Sequence, residues 1–221
     1  MGSGLTSDRR PAPRVTYELA GWELFWAELS FEPDGADATA ELEAEARRAA
    51  EAYGAGPLAE HPTIAALRRL FRAAGCDPTR YRPSSEALLR RVLKGQAPPA
   101  IHPLVDLNNC LSMRLAVPAC VMARGSFAGP FVLREGREGE SYESLKGPFN
   151  LAGKPLLADA SGPCDAPITG SRRVMIRPDT RQASLVAYLP EGVVSHDQAA
   201  SRLEELVARF PGVEVEPAAG G

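Results

Sequence analysis

Residues 80–95 are RYRPSSEALLRRVLKG, and residues 101–109 are IHPLVDLNN. In the first stretch, a serine follows a proline and an acid falls in the first turn, which predicts a helix over 84–93 with Ser84 as its N-cap. In the second stretch, Pro103 is suited to the first position of another helix, over about 104–113. Pro98-Pro99 separates these two predicted helices.

The segments before residue 80 predict mainly further helices, and those after residue 110 predict mainly strands. Helices are expected over 37–53 with Asp37 as N-cap, over 62–74, and from the capping-box pair Ser195 and Gln198 to about Arg209. Strands are expected within 14–31, as one or two strands, and at 131–134, 155–158, 173–176, 183–189 and 213–215. This order favours an α+β fold over a doubly wound parallel sheet.

The composition is typical of one globular domain. The chain has 221 residues, of which 44% are hydrophobic, so it is long enough to bury a full core. We expect residues 1–14 to be a flexible N-terminal segment and residues 15–216 to form a single domain. No run of about 18 apolar residues and no secretory leader is visible, which predicts a cytoplasmic protein without a membrane partner.

The charge and the metal-binding residue types exclude several functions. The formal net charge is -3 and the sequence pI about 5.7, whereas non-specific nucleic-acid binders, including DNA binders, are normally basic. The candidate metal ligands are scattered, without a CxxC pair: Cys76, Cys110, Cys120, Cys164, His61, His102 and His196. We therefore expect no metal, no cofactor and no disulfide.

Several short segments resemble, in the same order, the stand-alone B3/B4 domain proteins, which are similar to the editing domain of the phenylalanyl-tRNA synthetase beta subunit. Residues 80–95 resemble the opening of those proteins, and residues 101–109 match their NPLVDxxN segment. Pro118 stands at their LPxG turn, and residues 133–140 match LRxAxEGE. The match continues through residues 157–159, Gly162-Pro163 and Asp179-Thr180. The resemblance is strongest over residues 60–190 and implies a B3/B4-like domain with a β-rich core flanked by helices.

The resemblance implies an activity and a set of site residues. The synthetase domain admits the aminoacyl end of a mischarged tRNA and hydrolyses the ester, so the expected function is trans-editing by an aminoacyl-tRNA deacylase in translation quality control. The expected catalytic residues are Asn108, Asn109 and Gly162. The expected substrate-binding residues are Ser112, Pro118, Ala119, Cys120, Ser161, Pro163 and Ser171. The two amides and the glycine turn also have ordinary structural interpretations, as helix cross-links and a tight turn.

The sequence departs from the synthetase pattern at two places. Cys120 stands where the synthetase loop carries a histidine, and Gly170-Ser171 stands where many stand-alone relatives have Asp-Ser. A nucleophilic thiol needs a base or a cation to lower its pKa, and no histidine lies near Cys120 in the sequence. We therefore expect Cys120 to form a wall of the pocket, and the amino-acid specificity cannot be carried over from the synthetase.

Two arginine pairs are candidate contacts to the phosphates of a transiently bound aminoacylated tRNA. They are Arg90 with Arg91 and Arg172 with Arg173, although such pairs are also common on solvated, salt-bridged surfaces. The acidic pI and the lack of an acid or base in the matched loop leave a second function open: a non-catalytic module that binds an amino acid, a tRNA end or a protein partner. A third is an unrelated ester or amide hydrolase with the same pocket.

Overall fold

Five α-helices and two 3₁₀ turns are present in the computed structural model, which describes residues 13–33 and 38–216. The helices are α1 (Thr39–Tyr53), α2 (Pro62–Ala73), α3 (Ser84–Val92), α4 (Pro103–Leu115) and α5 (His196–Val207). The 3₁₀ turns are Leu58–Glu60 and Arg172–Val174.

Eleven strands form two sheets and a separate hairpin within the described residues. The strands are β1 (Val15–Tyr17), β2 (Trp22–Phe31), β3 (Ala119–Ala123), β4 (Phe131–Glu135), β5 (Ser141–Ser144), β6 (Gly147–Asn150), β7 (Pro155–Asp159), β8 (Gly162–Ala166), β9 (Thr169–Gly170), β10 (Gln182–Pro190) and β11 (Val213–Val215). One sheet has the order β1-β4-β7-β8-β9 and the other β11-β2-β10-β3, while β5 and β6 pair with each other. All pairings are antiparallel except that of β1 with β4.

The four-stranded sheet is covered on both faces, and the alternation along β2 shows how. Phe25 and Leu29 pack into a core shared with α1, α3, α4 and α5. Trp22 and Leu24, whose side chains point to the opposite face, pack into a second core against the five-stranded sheet. The molecule therefore has three layers: helices, the four-stranded sheet and the five-stranded sheet.

The segment IHPLVDLNN folds as its sequence predicts. Pro103 occupies the first turn of α4, and the imidazole Nδ1 of His102 accepts a hydrogen bond from the backbone N–H of Leu104 at 3.2 Å. The Asp106 carboxylate accepts a hydrogen bond from the backbone N–H of Ile101 at 3.1 Å, which fixes the chain as it enters the helix. The predicted apolar stripe of α4, including Leu107, is fully buried.

The α+β fold class is confirmed, and most predicted elements are present. The capping box of Ser195 and Gln198 at the start of α5 is also confirmed. The N-cap prediction for Ser84 is wrong, because Pro83 occupies the cap position and Ser84 is already helical. The predicted cap Asp37 lies outside the described residues.

The strand predicted at 173–176 is wrong. This segment begins as the 3₁₀ turn Arg172–Val174, which Ser171 caps by accepting a hydrogen bond from the backbone N–H of Arg173 at 3.2 Å. Conversely, Ala119 and Cys120, expected in a loop after Pro118, belong to strand β3. That strand is the edge of its sheet and pairs only with β10 among the described strands.

Candidate functional site

A cleft of about 640 Å³ lies between α3, the end of α4, β3 and the tip of the β5–β6 hairpin. Several residues expected at the site line it, together with others that the sequence did not single out. The lining residues are Arg82, Ser84, Ala87, Leu88, Arg90, Arg91, Lys94, Gln96, Asn109, Ser112, Ala119, Leu145, Lys146 and Ile168. The cleft therefore brings the polar end of α4 next to the arginine face of α3.

The rim of the cleft is strongly cationic. Its charged side chains are Arg82, Arg90, Arg91, Lys94 and Lys146, and none of the described lining residues is acidic. Arg90 donates to the buried Glu86 carboxylate at 2.9 Å, and Arg91 donates to the carbonyl of Ala97 at 3.3 Å. Such a concentration of positive charge in a concave surface attracts anions, even though the whole chain carries a net charge of -3.

The floor of the cleft is made by the junction of α4 with β3. The Ser112 hydroxyl donates to the carbonyl of Val117 at 2.7 Å, which fixes the turn between these two elements. Asn109 is partly exposed and lines the cleft, and its amide has no hydrogen-bond partner among the described residues. Of the two adjacent asparagines, Asn109 is therefore the one whose amide is open to the cleft.

Asn108 has a different environment from Asn109. It is 6% exposed, and its Nδ2 donates to the carbonyl of Ala119 at 3.3 Å, which ties α4 to β3. Its Oδ1 is buried without a hydrogen-bond partner in the described structure. Asn108 thus supports the cleft wall from behind.

The thiol of Cys120 points away from the helices, into the core between the sheets, beside the carboxyl of Asp165. Burial, reinforced by that carboxyl, raises the pKa of the thiol well above its ordinary value. A protonated thiol is a poor nucleophile. This environment argues against a nucleophilic role for Cys120. Cys120 does not line the cleft, and its expected place in the pocket wall stays a prediction.

Asp165 is the least expected group near the site. It is 1% exposed, and its Oδ2 accepts a hydrogen bond from the hydroxyl of Tyr188 at 2.6 Å. Burial raises the pKa of Asp165 to about 7, although the hydrogen bond from Tyr188 opposes the shift. The sequence shows only one acid in an otherwise apolar strand, which was the signal that could have identified it.

The turn Ser161–Pro163 lies at the β7–β8 connection and is not among the cleft-lining residues. The Asp159 carboxylate accepts a hydrogen bond from the backbone N–H of Ser161 at 2.8 Å and pairs with Arg173 at 3.0 Å. Burial alone would raise the pKa of Asp159, but these hydrogen bonds outweigh it and lower the pKa below its ordinary value. A catalytic role for Gly162, and tRNA contacts by Arg172 and Arg173, stay predictions.

Pro118 and Ser171 are both buried and make structural contacts, and their substrate-binding roles stay predictions. Pro118 is buried, and its carbonyl accepts a hydrogen bond from the backbone N–H of Tyr188 at 2.9 Å. Ser171 is also buried and caps the 3₁₀ turn. The structure therefore gathers Asn109, Ser112 and Ala119 with the α3 arginines at one cleft, whose lining does not include the remaining predicted residues.

Comparison with known proteins identifies the family. The sequence profile of the B3/4 domain matches residues 66–210, about two thirds of the chain. The chain belongs to the B3/4 domain family. No curated protein matches the sequence.

Among solved structures, the fold is similar to an N-terminal fragment of the phenylalanyl-tRNA synthetase beta subunit from Pyrococcus horikoshii. The two share 12% sequence identity with a TM-score of 0.47, over 93% of this chain and 52% of the fragment. The chain thus spans about half the length of that fragment. Within the described part of the chain, no helix has the length and apolar character needed to cross a bilayer.

Proposed function

We propose that this B3/4 protein is a trans-editing deacylase that binds the acceptor end of a mischarged tRNA in the cationic cleft and hydrolyses the aminoacyl ester. The observation that carries the proposal is the cleft itself. Its cationic rim matches a phosphate-bearing ligand, and its floor carries the partly exposed amide of Asn109. Apolar surface from Leu88, Leu145 and Ile168 completes a site for a ligand with both charged and apolar parts.

The chemistry requires little from the protein beyond positioning. An aminoacyl ester is already activated, and the neighbouring ribose hydroxyl can help to orient the attacking water. The α3 cations would hold the phosphates, while the Asn109 amide would orient the ester or the water. Hydrogen-bond donors placed at the developing oxyanion lower the barrier further. Neither Cys120 nor a metal ion takes part in this mechanism, and the proposed place of action is the cytoplasm.

A non-catalytic tRNA-binding module is the second candidate. It is favoured by one observation: the described side chains that line the cleft include no histidine, cysteine, aspartate or glutamate. Without a general acid or base at the cleft, all rate enhancement must come from positioning and electrostatics.

The deciding experiment is single-turnover deacylation with a panel of mischarged tRNAs, with tRNA binding measured in parallel. We expect the wild type to release the amino acid from at least one member, and Arg91→Ala to weaken tRNA binding. Arg47→Ala is the matched control, because Arg47 is an exposed arginine on α1 that is 68% accessible and does not line the cleft. Binding without release would support the module, and absence of both would refute the proposed function.

A further inference from the structure

A second cavity, of about 370 Å³, lies in the helix layer between α1, the end of α4 and α5. It shares no lining residue with the cationic cleft. The charged side chains that line it are Arg48, Arg114, Arg202, Arg209 and Glu45, and it is called the arginine pocket below. Four cations and one acid therefore meet at a concave surface that the proposed function does not use.

Arg114 joins the three helices that form the arginine pocket. From α4 it donates through Nε to Oε1 of Glu45 on α1 at 2.9 Å, and through Nη2 to the other oxygen of that carboxylate. Its Nη1 donates to the Glu205 carboxylate on α5 at 3.0 Å. The Glu45 side chain is only 3% accessible, so its negative charge lies beneath the guanidinium groups. Arg114 thus fixes the pocket, and its nitrogens are already engaged.

The other three arginines of the pocket keep unused donors that solvent can reach. Arg48 donates through Nη1 to Glu45 at 2.7 Å, and Arg202 donates through Nη1 to Glu205 at 2.6 Å. Their side chains are 47% and 49% accessible. Arg209 is exposed and has no hydrogen bond or ion pair with any residue that the structure describes. Because a guanidinium group carries five N–H donors, most of the donors of these arginines are free for a ligand.

The charge balance and the lining of the pocket favour an anion with an apolar part. The two carboxylates that pair with the pocket arginines, Glu45 and Glu205, leave an excess of two positive charges over the four arginines. Guanidinium groups bind phosphate oxygens through two parallel N–H donors, which makes phosphate a well-matched anion. The half-buried Tyr53 and the exposed Ala52 line the same pocket and supply an apolar surface beside the arginines.

We propose that the arginine pocket is a binding site for a small phosphate ester. Arg48, Arg202 and Arg209 bind the phosphate group, and the organic part of the ester packs against Tyr53. Arg114 is a positioning residue, because it holds the carboxylates that orient the binding arginines. This site is independent of the proposed function, since no residue of the cleft takes part in it.

The test is an NMR titration of the full chain with phenyl phosphate, followed on the arginine Nε–H signals. These signals separate the pocket from the cleft, whose arginines also attract phosphate. We expect saturable shifts for Arg48, Arg202 and Arg209 and none for Arg47, an exposed arginine of α1 outside the pocket. Arg209→Ala should raise the Kd read from the Arg48 signal about tenfold, because one charge-assisted contact is lost. Arg47→Ala is the matched control and should leave that Kd unchanged.

Three results would overturn the inference, and none of them depends on deacylation. Equal shifts of Arg47 and Arg209, or an unchanged Kd in Arg209→Ala, would mean that Arg209 only complements the C-terminal dipole of α5. Inorganic phosphate should bind more weakly than phenyl phosphate, and equal binding would refute an ester that packs against Tyr53. A single-stranded RNA oligonucleotide that shifts the same signals at a lower concentration than phenyl phosphate would assign the pocket to a nucleic-acid backbone instead of a small ester.

Discussion

At the scale of single residues, the two adjacent asparagines of α4 have different environments. Asn109 faces the cleft, whereas Asn108 is buried and bonded to the carbonyl of Ala119. A helix advances by 100° per residue, so neighbouring amides necessarily face different surroundings. The sequence shows two equivalent amides, and only packing against β3 decides which of them opens onto the cleft.

This difference predicts opposite phenotypes for two alanine variants. Asn109→Ala should lower the rate of deacylation by about tenfold or more, because an orienting contact is lost, and should leave stability within about 0.5 kcal/mol. Asn108→Ala should instead cost about 1–3 kcal/mol, because the Ala119 carbonyl loses its donor and a small cavity forms. Urea denaturation and single-turnover kinetics on both variants provide the check. Equal losses of stability in the two variants would contradict the assignment of Asn108 to a structural role and Asn109 to the cleft.

A second prediction at this scale concerns the pH dependence of stability caused by Asp165. The pKa of its carboxyl is about 7 in the folded protein, compared with 3.8 for an ordinary aspartate. Between these values the folded state binds more protons than the unfolded state, so stability decreases as pH rises from about 4 to about 7. The full loss, reached above pH 7, is about 4 kcal/mol in order of magnitude.

Asp165→Asn should remove this pH dependence, because an amide does not titrate in the range. The neighbouring thiols and hydroxyls of Cys120, Cys164, Tyr142 and Tyr188 all have raised pKa values and stay neutral. The difference in unfolding free energy between wild type and variant, measured in urea at pH 5 to 8, isolates Asp165. A difference that does not vary with pH would show that Asp165 titrates normally.

At the scale of secondary-structure elements, α3 serves the core and the cleft at once. Leu89 and Val92 are buried in the core, while Ala87, Leu88 and Arg91 line the cleft. Between these faces, Glu86 is fully buried in the first turn and accepts hydrogen bonds from Arg68 of α2 and Arg90 of α3. Glu86 thereby joins two helices and holds one of the cleft cations.

We predict that Glu86→Gln lowers both stability and tRNA affinity. Removing the charge leaves Arg68, which is 14% accessible, without its buried carboxylate, at a cost of about 2 kcal/mol. Arg90 also loses the contact that orients its side chain toward the cleft rim. Glu43→Gln is the control, because Glu43 forms an exposed pair with Arg47 at 3.8 Å that should contribute less than about 0.5 kcal/mol. Thermal melts and tRNA-binding isotherms measure both effects.

The elements differed in how far the sequence could predict them. The helices α4 and α5 follow from local signals, the proline of IHPLVDLNN and the capping box, which act within a few residues. By contrast, Arg173 to Ile176 has a β-like composition, but Ser171 caps a 3₁₀ turn there and Arg173 is held by Asp159, which lies 14 positions earlier in the chain. The short strand β3 depends on pairing with β10, whose partner residues lie 60 to 68 positions later in the chain. Contacts of this kind leave no local pattern.

At the scale of the whole molecule, the charges are distributed unevenly. The chain carries a formal net charge of -3, yet five cations and no described acid line the cleft. Other arginines are neutralised in ion pairs elsewhere, such as Arg114 with Glu45 and Glu205, and Arg124 with Glu28 and Glu216. Overall charge therefore underestimates the affinity of this protein for an anion, because the relevant field is local. The acidic pI is compatible with one small nucleic-acid site.

The salt dependence of tRNA binding tests this distribution of charge. Each cation that neutralises a phosphate releases a counterion, so log K should fall linearly with log salt, with a slope of about -0.7 per contact on a single-stranded end. Five cleft cations set a limit of roughly -3.5, and Lys146→Ala should make the slope shallower by about 0.7. Arg47→Ala changes the net charge equally but lies on an exposed face of α1, so it should leave the slope unchanged. If both variants changed the slope to the same extent, binding would depend on the net charge of the protein and not on the cleft.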